Sequence, residues 1–359
     1  MNPDFYHSLM SGRSRGVVPS CLRGALSMAS VGYAVAVRLR NAAFDRGWKT
    51  IHRADVPVIS VGNLTAGGTG KTPCVAFLAE WFRERGTRVA ILSRGYRAMQ
   101  SEGSIADNDE KLLLDRLCPG VPHLQQADRV EIAKQAVREF SSQVLILDDG
   151  FQHRRLARDL DIMLIDCLNP WGYGKLLPRG LLREPLSSLR RADLIFLTRA
   201  DLCPPEQSER IRRTLQKYRG SAECVEVAFR PTHLVGRDAE TASIESLRGA
   251  PILAACGIGN PQGFAQTLDR LGCRIVGFER YADHHHYTRD DCLHLADRAA
   301  KLHTTAIVMT EKDLVKIPPD FEFPVPLCGL RLGTTILEGK IFFDKMLNNV
   351  IEQTQRSES

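Results

Sequence analysis

The stretch VPVISVGNLTAGGTGKT, residues 56–72, decides how the rest of this chain is interpreted. Its mostly β-branched and apolar start predicts a buried strand, and a glycine-rich loop then leads into an amphipathic helix. Glycines in such a loop let successive backbone N–H groups face one anion, and the dipole of the following helix favours negative charge there. The order of strand, loop and helix therefore predicts a phosphate-binding loop.

The end of the loop supplies the side chains that a nucleotide site needs. Lys71 can reach the outer phosphates, and Thr72 offers a hydroxyl oxygen to Mg²⁺. The usual pattern G-x-x-x-x-G-K-[ST] would place glycine where this chain has Thr65, so an unrelated glycine-rich turn is the alternative. The predicted nucleotide-binding residues of the loop are Thr65, Ala66, Gly67, Gly68, Thr69, Gly70, Lys71 and Thr72.

The composition is that of a globular protein with room for two domains. The chain has 359 residues, of which 43% are hydrophobic and 25% charged. Ten cysteines without any CxxC pair indicate reduced thiols and neither a zinc framework nor a redox pair. The net charge of +6 is concentrated in residues 1–55, where eight Lys or Arg face three acidic residues. A local anionic contact is therefore expected, and no nucleic acid.

Residues 22–44 predict a basic helix with one apolar stripe. Its charge-free stretch, residues 24–37, is too short to span a bilayer, but such a helix can lie in an anionic membrane interface. The alternatives are a helix that packs on the protein core, or a segment that resembles an uncleaved signal sequence. Residues 1–20 predict a loose tail. The residues of the stripe are Leu22, Leu26, Ala29, Tyr33 and Val37.

Apolar strands alternate with helices along the rest of the chain, which predicts a mostly parallel sheet with helices on both faces, as in P-loop NTPases. After Arg230-Pro231 the pattern restarts and predicts a second, smaller α/β domain. The last helix, from Leu337 to Gln353, fits either domain. The expected boundaries are 1–55 for the tail and basic helix, 56–230 for the nucleotide domain, 231–335 for the second domain and 336–359 for the C-terminal helix and tail.

Asp148 and Asp149 directly follow the predicted strand of residues 143–147. An acidic residue at the carboxyl end of a parallel strand lies near the phosphate loop, where it can hold Mg²⁺ directly or through water. Two acids in an ordinary turn are the alternative. Further along, Arg183 and Glu184 fit either a solvated pair or groups that face the nucleotide.

The second domain contains YADHHHY, residues 281–287. Three adjacent histidines suggest zinc, but consecutive residues do not easily point at one ion. A single histidine beside Asp283, acting as a hydrogen-bond partner or proton relay, is the preferred interpretation. The nearby GxG at Gly257 and Gly259 lacks the third glycine of a dinucleotide fingerprint and predicts only a turn before a helix.

The phosphate loop specifies a nucleotide and not a reaction. ParA-like and metallochaperone ATPases carry a signature lysine where this chain has Ala66, which disfavours that class. GTPases carry an N/T-K-x-D motif after a late strand. Thr198-Arg199-Ala200-Asp201 imitates this motif, and Thr310-Glu311-Lys312-Asp313 does so more loosely. A regulatory GTPase therefore stays open as the alternative to an ATP-dependent enzyme.

A longer set of motifs closely resembles the tetraacyldisaccharide 4'-kinase family. In order they are VPVISVGNLTAGGTGKTP, ILSRGY, ILDDGFQHRRLARDLDI, LLPRGLLREPLSSLRRAD, YADHHHYT and MTEKDLVKI, from residue 56 to residue 317. The resemblance implies an enzyme of lipid A biosynthesis that uses ATP to phosphorylate the 4'-hydroxyl of a membrane-borne, tetraacylated glucosamine disaccharide 1-phosphate. It also accounts for Thr65, since the loop of that family likewise lacks the first glycine.

The resemblance also assigns roles to residues, with ATP and Mg²⁺ as cofactors. It implies that the loop holds ATP together with Gln152 and Arg183, with His153 nearby. Arg129 matches an active-site arginine that steadies phosphate charge. The acids of the magnesium and active site are Asp148, Asp149 and Glu184, with Thr72 as the hydroxyl ligand.

Asp109 matches the catalytic aspartate of the family, which lies in a Gly-Asp-Glu-Pro run, although here both flanking residues differ: Asn108-Asp109-Glu110-Lys111. Without the resemblance, Asp109 fits an acid at a helix start. The family pairs this base with a histidine that falls on His284. Because the two residues belong to different predicted domains, closure over ATP is expected.

The basic N-terminal helix is similar to the membrane-associated helix of the family. The resemblance therefore implies a peripheral or monotopic protein at the cytoplasmic face of the inner membrane. Its implied partners are the lipid substrate and the membrane surface, without an obligate protein partner.

Overall fold

The structure is a computed structural model that describes residues 8–95 and 109–358, without the side chains of residues 356–358. The chain divides into two compact units. The first unit contains the described residues up to Arg94, Leu124–Ala228 and the chain from Thr335 onward. The second contains Phe229–Thr334 and the described part of Gly95–His123, a segment that the sequence-based boundaries placed in the nucleotide domain.

Helices and strands alternate along most of the described chain. The helices are α1 Val17–Asp45, α2 Lys71–Arg83, α3 Asp109–Leu117, α4 Arg129–Phe140, α5 Pro205–Arg219, α6 Pro261–Arg270, α7 Arg289–Lys301, α8 Glu311–Leu314 and α9 Lys340–Glu358. The strands are β1 Val58–Asn63, β2 Val89–Ser93, β3 His123–Gln125, β4 Val144–Asp148, β5 Leu160–Asp166, β6 Leu194–Thr198, β7 Val225–Val235, β8 Thr241–Ala242, β9 Pro251–Cys256, β10 Arg274–Arg280, β11 Ala306–Thr310 and β12 Leu327–Glu338.

In the first unit, β1 is the centre of a parallel sheet. It pairs with β4 on one side and β5 on the other, while β2 lies beyond β4 and β6 beyond β5. Strands β1, β2 and β4 are buried along their whole length, which explains their continuous apolar sequences, since helices cover both faces of such a sheet. The carboxyl ends of β1, β4 and β5 meet at one edge, where ligands bind in this architecture. The predicted P-loop-like α/β fold is confirmed.

In the second unit four strands pair in parallel, in the order β10-β9-β11-β12. Alternate residues of β9 enter different apolar clusters, because successive side chains of a strand point to opposite faces. Leu253 and Ala255 join one cluster, and Ile252 and Ala254 join the other. Both faces of these paired strands are therefore covered by apolar side chains.

Two chain termini differ from what the sequence predicts. The predicted last helix begins at Leu337, whereas β12 continues to Glu338 and α9 starts at Lys340 after Gly339, whose φ of 83° breaks the strand. Phe343 of α9 stacks on Phe77 of α2, with ring centroids 5.6 Å apart, so this helix packs in the first unit. The described part of the predicted N-terminal tail is also docked. There Leu9 and Met10 are buried, and Arg179 Nη1 donates to the Met10 carbonyl at 3.1 Å.

Helix α1 packs on the rest of the first unit along one face and exposes apolar residues on the opposite face. The inner face buries Val37 and Phe44. By length and composition alone α1 is long and apolar enough to cross a membrane, so the limit drawn from residues 24–37 was too strict. The stripe predicted from the sequence faces the protein instead, since its Val37 is buried and its Tyr33 donates to the Arg183 carbonyl at 3.0 Å. The exposed apolar residues on the other face, here called the α1 stripe, also follow helical spacing. They are Met28, Val31, Val35 and Leu39.

Candidate functional site

The phosphate loop connects β1 to α2 in the first unit. Gly67 and Gly70 have φ values of 117° and 85°, which side chains rarely adopt, so the loop requires glycine at these positions. Asn63 Nδ2 donates to Thr69 Oγ1 at 3.0 Å and ties the loop to the end of β1. Because α2 begins at Lys71, the positive end of its dipole faces the loop.

The first residues of the loop anchor it to the segment after Leu181. Thr65 forms an antiparallel bridge with Leu182, and the Ala66 N–H donates to the Leu181 carbonyl at 2.7 Å. Thr65 is therefore extended and needs no glycine, which explains the departure from the usual pattern. The Ala66 amide is already used in this anchor, and the nucleotide contacts predicted for Thr65 and Ala66 stay predictions.

Asp148 ends β4, next to β1, and Asp149 follows in the left-handed region with φ 49°. A Cβ at Gly62 of β1 would lie 2.6 Å from Phe151 Cβ, so glycine lets β1 pass this close to the turn after Asp149. Arg183 Nη1 donates to both carboxylate oxygens of Asp149, at 2.9 and 2.8 Å. Lys71 Nζ lies 3.6 Å from Asp149 Oδ1. The structure thus brings three predicted site residues together.

This cluster fixes the charge of Asp149. Burial alone would raise the pKa of Asp149, but Lys71, Arg183 and Arg129 hold that pKa below its ordinary value. Asp149 is therefore anionic at neutral pH. Gln152 supports the same edge, because its Nε2 donates to the Asn63 carbonyl at 3.0 Å while its Oε1 lies 3.4 Å from Arg183 Nη1.

Arg129 and His153 form a buried pair beside these residues. Arg129 is only 5% exposed and starts α4, whose N-terminus is capped by the Asp128 side chain. Arg129 Nη1 lies 3.2 Å from His153 Nδ1. Burial and the positive charges of Arg129 and Arg158 lower the pKa of His153 to about 4, so His153 is neutral and its Nδ1 accepts from Arg129. Arg129 therefore keeps its charge near Asp149.

Glu184 has a different environment from the one predicted. It is fully buried and accepts hydrogen bonds from four side chains. The donors are Arg40 at 2.9 Å, Asn41 at 2.8 Å, Ser188 at 2.8 Å and Arg191 at 3.0 Å. Arg40 and Asn41 belong to α1, so the carboxylate fastens α1 to the first unit. Since Glu184 is fully buried among these four donors, whereas the Asp149 side chain is 36% exposed, we do not propose Glu184 as a magnesium ligand.

Sequence reasoning missed Arg199, which it considered only as part of an imitation of a GTPase motif. Arg199 follows β6 and donates through Nη2 to the Gly68 carbonyl at 3.0 Å. Its Nη1 pairs with Asp166 at the carboxyl end of β5. The available signal was position, because both residues end strands of the parallel sheet. Arg199 thereby supports the phosphate loop.

Asp109 and His284 meet in the second unit. Asp109 is 6% exposed and is the first residue of α3. Its Oδ2 lies 2.9 Å from His284 Nδ1, and its Oδ1 accepts the Glu110 N–H at 2.9 Å. The contact implied by the family resemblance is therefore present. Both residues belong to the second unit, whereas the sequence-based boundaries place them in different domains, and the closure expected from those boundaries stays a prediction.

Charged neighbours set the protonation of this pair. Burial alone would raise the pKa of Asp109, but the His284 hydrogen bond and the charges of Lys312 and Lys316 hold that pKa below its ordinary value. The hydrogen bond to Asp109 raises the pKa of His284, although burial and Lys312 oppose this. Asp109 is therefore an ionised carboxylate at neutral pH that can accept a proton.

The adjacent histidines do not converge on one point. His284 contacts Asp109, whereas His285 Nε2 lies 3.0 Å from Asp291 Oδ2 and its ring stacks on Tyr281. Within residues 8–95 and 109–358, no three His, Cys, Asp or Glu side chains are grouped so as to hold a metal ion. The predicted turn after Gly257 is present, and Asn260 caps α6.

The fold and the loop define a P-loop nucleotide-binding protein, with the glycine-rich loop after the central strand and acids after its neighbour. The family model of the tetraacyldisaccharide-1-P 4'-kinases (LpxK) matches residues 22–352. The chain therefore belongs to the tetraacyldisaccharide 4'-kinase family.

Individual relatives agree with this assignment. The tetraacyldisaccharide 4'-kinase of Anaeromyxobacter dehalogenans strain 2CP-C is 42% identical over 307 residues, which cover 82% of this chain and 81% of that protein. The enzyme of the same name from Halothermothrix orenii is 35% identical over 340 residues, or 87% and 88% of the two chains. A crystal structure of LpxK from Aquifex aeolicus in complex with ATP superimposes with a TM-score of 0.73 at 29% identity, covering 92% of this chain and 99% of that one.

Proposed function

We propose that this protein transfers the γ-phosphoryl group of ATP to the 4'-hydroxyl of a tetraacylated glucosamine disaccharide 1-phosphate, the step of lipid A biosynthesis that gives the 1,4'-bisphosphate. The observation that carries the proposal is the family match over residues 22–352, which includes both the phosphate loop and the Asp109–His284 pair. The GTPase alternative loses support, because the matched relatives are kinases and Arg199 of the imitating motif binds a loop carbonyl.

The first unit supplies the nucleotide end of the reaction. Phosphoryl transfer depends on positioning and on neutralising charge more than on covalent help from the protein. The loop amides from Gly67 to Thr72 would hold the phosphates of ATP. Lys71, Arg183 and Arg129 would then neutralise the charge that spreads over the phosphoryl oxygens.

The oxygen donors beside the loop fit Mg²⁺. Asp148, the ionised Asp149 and the Thr72 hydroxyl are hard ligands of the kind that Mg²⁺ takes together with phosphate oxygens and water. These three residues would hold the ion. When bound, Mg²⁺ would neutralise phosphate charge.

The second unit supplies the acceptor end. Asp109 would accept the proton of the 4'-hydroxyl as that oxygen attacks phosphorus, and its lowered pKa keeps it ready to do so at neutral pH. His284, 2.9 Å away, would orient the carboxylate. A positioned general base of this kind contributes about 10²- to 10⁴-fold.

The lipid end of the acceptor explains the exposed face of α1. An acceptor with acyl chains in the bilayer reaches the active site only if the enzyme lies at the membrane surface, which we place at the cytoplasmic face of the inner membrane, where ATP is available. The α1 stripe would enter the interface. Arg38 is exposed on the same helix and adds attraction to anionic lipids. Because Glu184 fastens α1 to the first unit, we expect the helix to lie along the surface.

A transfer assay tests the reaction directly. Purified full-length protein receives γ-labelled ATP and a tetraacylated disaccharide 1-phosphate in mixed micelles, beside a parallel assay with labelled GTP and no lipid. Label on the lipid is the expected result. Release of phosphate from GTP without any labelled lipid would support the regulatory GTPase and reject the kinase.

Vesicle binding tests the role of α1. Replacing Val35 by Asp in the α1 stripe should weaken binding to anionic vesicles about tenfold, since burying one such side chain is worth about 1.5–3 kcal/mol. Ile341→Asp in α9 is the matched control, because Ile341 is 88% exposed but lies outside the stripe. Equal losses in both variants, or none in either, would reject the interface.

A further inference from the structure

We infer that the segment Thr310–Leu314 is the scaffold of the Asp109–His284 pair, and that Lys312 is a positioning residue that fixes which nitrogen of His284 carries the proton. This inference rests on the proposed role of Asp109 as the base. The sequence of these residues loosely resembles the N/T-K-x-D motif of GTPases. In the structure they end β11 and form the short helix α8, and three consecutive side chains reach three different parts of the site.

Glu311 holds the helix that carries Asp109. Its carboxylate is buried and lies 3.5 Å from Arg116 Nε, near the end of α3. Arg331 Nε donates to Glu311 at 2.8 Å, and Arg331 Nη2 lies 3.4 Å from the Arg116 carbonyl. A carboxylate between two arginines thus links α3 to α8. Because Asp109 belongs to α3, this link fixes the position of the Asp109 backbone.

Asp313 holds the backbone of His284. It is fully buried, and its Oδ2 accepts the Gly257 N–H at 3.0 Å and the Thr310 hydroxyl at 2.6 Å. The Gly257 carbonyl in turn accepts the His284 N–H at 3.2 Å. A Cβ at Gly257 would lie 3.0 Å from the Ala282 carbonyl oxygen, so glycine allows this close approach. The chain from Asp313 through Gly257 holds His284 at its φ of 60°, a value that is rare outside glycine.

Lys312 contacts the second ring nitrogen of His284. Its Nζ lies 3.2 Å from His284 Nε2 and 3.7 Å from Asp283 Oδ1. An ammonium group has three donors and no acceptor, so Nε2 must be the acceptor in this contact. The ring proton is then on Nδ1, which faces Asp109 Oδ2 at 2.9 Å. Lys312 thereby selects the neutral tautomer that donates to Asp109 and leaves Asp109 ionised.

The arrangement also opposes full protonation of His284. Among residues 8–95 and 109–358, the charged groups that act on its ring are Asp109 from α3, Asp283 from its own loop and Lys312 from α8. In an imidazolium, the Nε2–H would point at the Lys312 ammonium and their hydrogen bond would be lost. Removing Lys312 should therefore favour the imidazolium, so the pH below which His284 becomes charged should rise.

The experiment compares Lys312→Met with Lys301→Met, which removes the same charge from an exposed pair with Asp297 in α7. Nitrogen-15 NMR of the histidine side chains in the full-length protein reports tautomer and pKa, and steady-state transfer reports kcat across pH. In the wild type, His284 should be protonated on Nδ1 only at pH 8. In Lys312→Met its pKa should rise by about one unit, which corresponds to a tenfold change in the protonation equilibrium.

Turnover should follow the same change. The acid limb of the kcat profile should move to higher pH in Lys312→Met, with kcat near pH 7 about tenfold lower and KM for ATP unchanged. Lys312→Arg keeps a donor and a charge and should restore most of the loss. His285, paired with Asp291, should keep its resonances in every variant and serves as the internal control.

Two results would overturn the inference. One is a wild-type His284 with its proton on Nε2, which needs no variant to observe. The other is a folded Lys312→Met protein with the tautomer, pKa and kcat profile of Lys301→Met. The proposed function fails separately: full turnover in Asp109→Asn would remove Asp109 as the base, whereas the NMR result on His284 and Lys312 would be unaffected.

Discussion

The phosphate loop and the Asp109–His284 pair are built in different ways. Most of the phosphate loop comes from six consecutive residues, Gly67 to Thr72, and its ligand groups are largely backbone amides at the start of α2. The Asp109–His284 pair joins side chains 175 positions apart in the chain, and Lys312 supports it from a third segment. A backbone site leaves a local signature in the sequence, while a side-chain site can be assembled from segments that show no pattern by themselves.

Their electrostatics differ as well. Each site contains an aspartate whose pKa is held below the ordinary value. At the loop the partners of Asp149 are a lysine and an arginine, Lys71 and Arg183. The partner of Asp109 is a histidine, His284, whose pKa is raised by the hydrogen bond to Asp109. We therefore expect pH between 6 and 8 to act on the reaction through the second unit and much less through nucleotide binding.

The largest expected effect separates the two sites. Asp109→Asn should lower kcat by about 10²- to 10⁴-fold, because the base is removed while the shape of the side chain is kept. The Kd for ATP should not change, since the loop is in the other unit. Transfer kinetics and nucleotide binding measured on the same preparation check both parts. Normal turnover would remove Asp109 from the mechanism.

The reciprocal change at the loop should affect binding and turnover together. Lys71→Met removes a charge that faces the phosphates and should lower kcat/KM about 10²- to 10³-fold, the usual cost of losing one preorganised electrostatic contact. ATP should also bind more weakly. Lys134→Met in α4 is the control, since that lysine is exposed. If Lys71→Met bound ATP as the wild type does, the contrast between the two sites would not hold.

A smaller effect is expected at Glu184, which sequence reasoning placed at the metal. Glu184→Ala should lower the free energy of unfolding by about 3 kcal/mol, because it leaves the largely buried Arg191 without its carboxylate. Glu209→Ala breaks an exposed pair with Arg213 in α5 and should change stability by less than about 1 kcal/mol. Urea unfolding measures both variants.

The Mg²⁺ concentration that Glu184→Ala needs for half-maximal turnover tests whether Glu184 is a metal ligand after all. If the variant kept its stability but needed more Mg²⁺ for half-maximal turnover, the predicted metal role would be restored. The expected result is an unchanged requirement, since Asp148, Asp149 and Thr72 remain.

Two of the residues show where sequence reasoning stopped. Asp109 was identified only through the family resemblance, because an acid at a helix start has an ordinary structural explanation. The functional role of Glu184 also came only through the family resemblance, and the side chains of Glu184 and its neighbour Arg183 diverge. Arg183 turns to Asp149, and Glu184 turns inward to Arg40 and Asn41.

The parallel sheet, the phosphate loop and the acids after β4 could be predicted from the sequence, because apolar periodicity, glycine positions and strand ends depend on a few neighbouring residues. Other contacts became visible only in the folded structure. The Ala66 N–H donates to the Leu181 carbonyl, Glu184 fastens α1, and Lys312 contacts Nε2 of His284. These contacts join residues distant in the chain, and their geometry depends on how whole helices and strands pack, which no local pattern records.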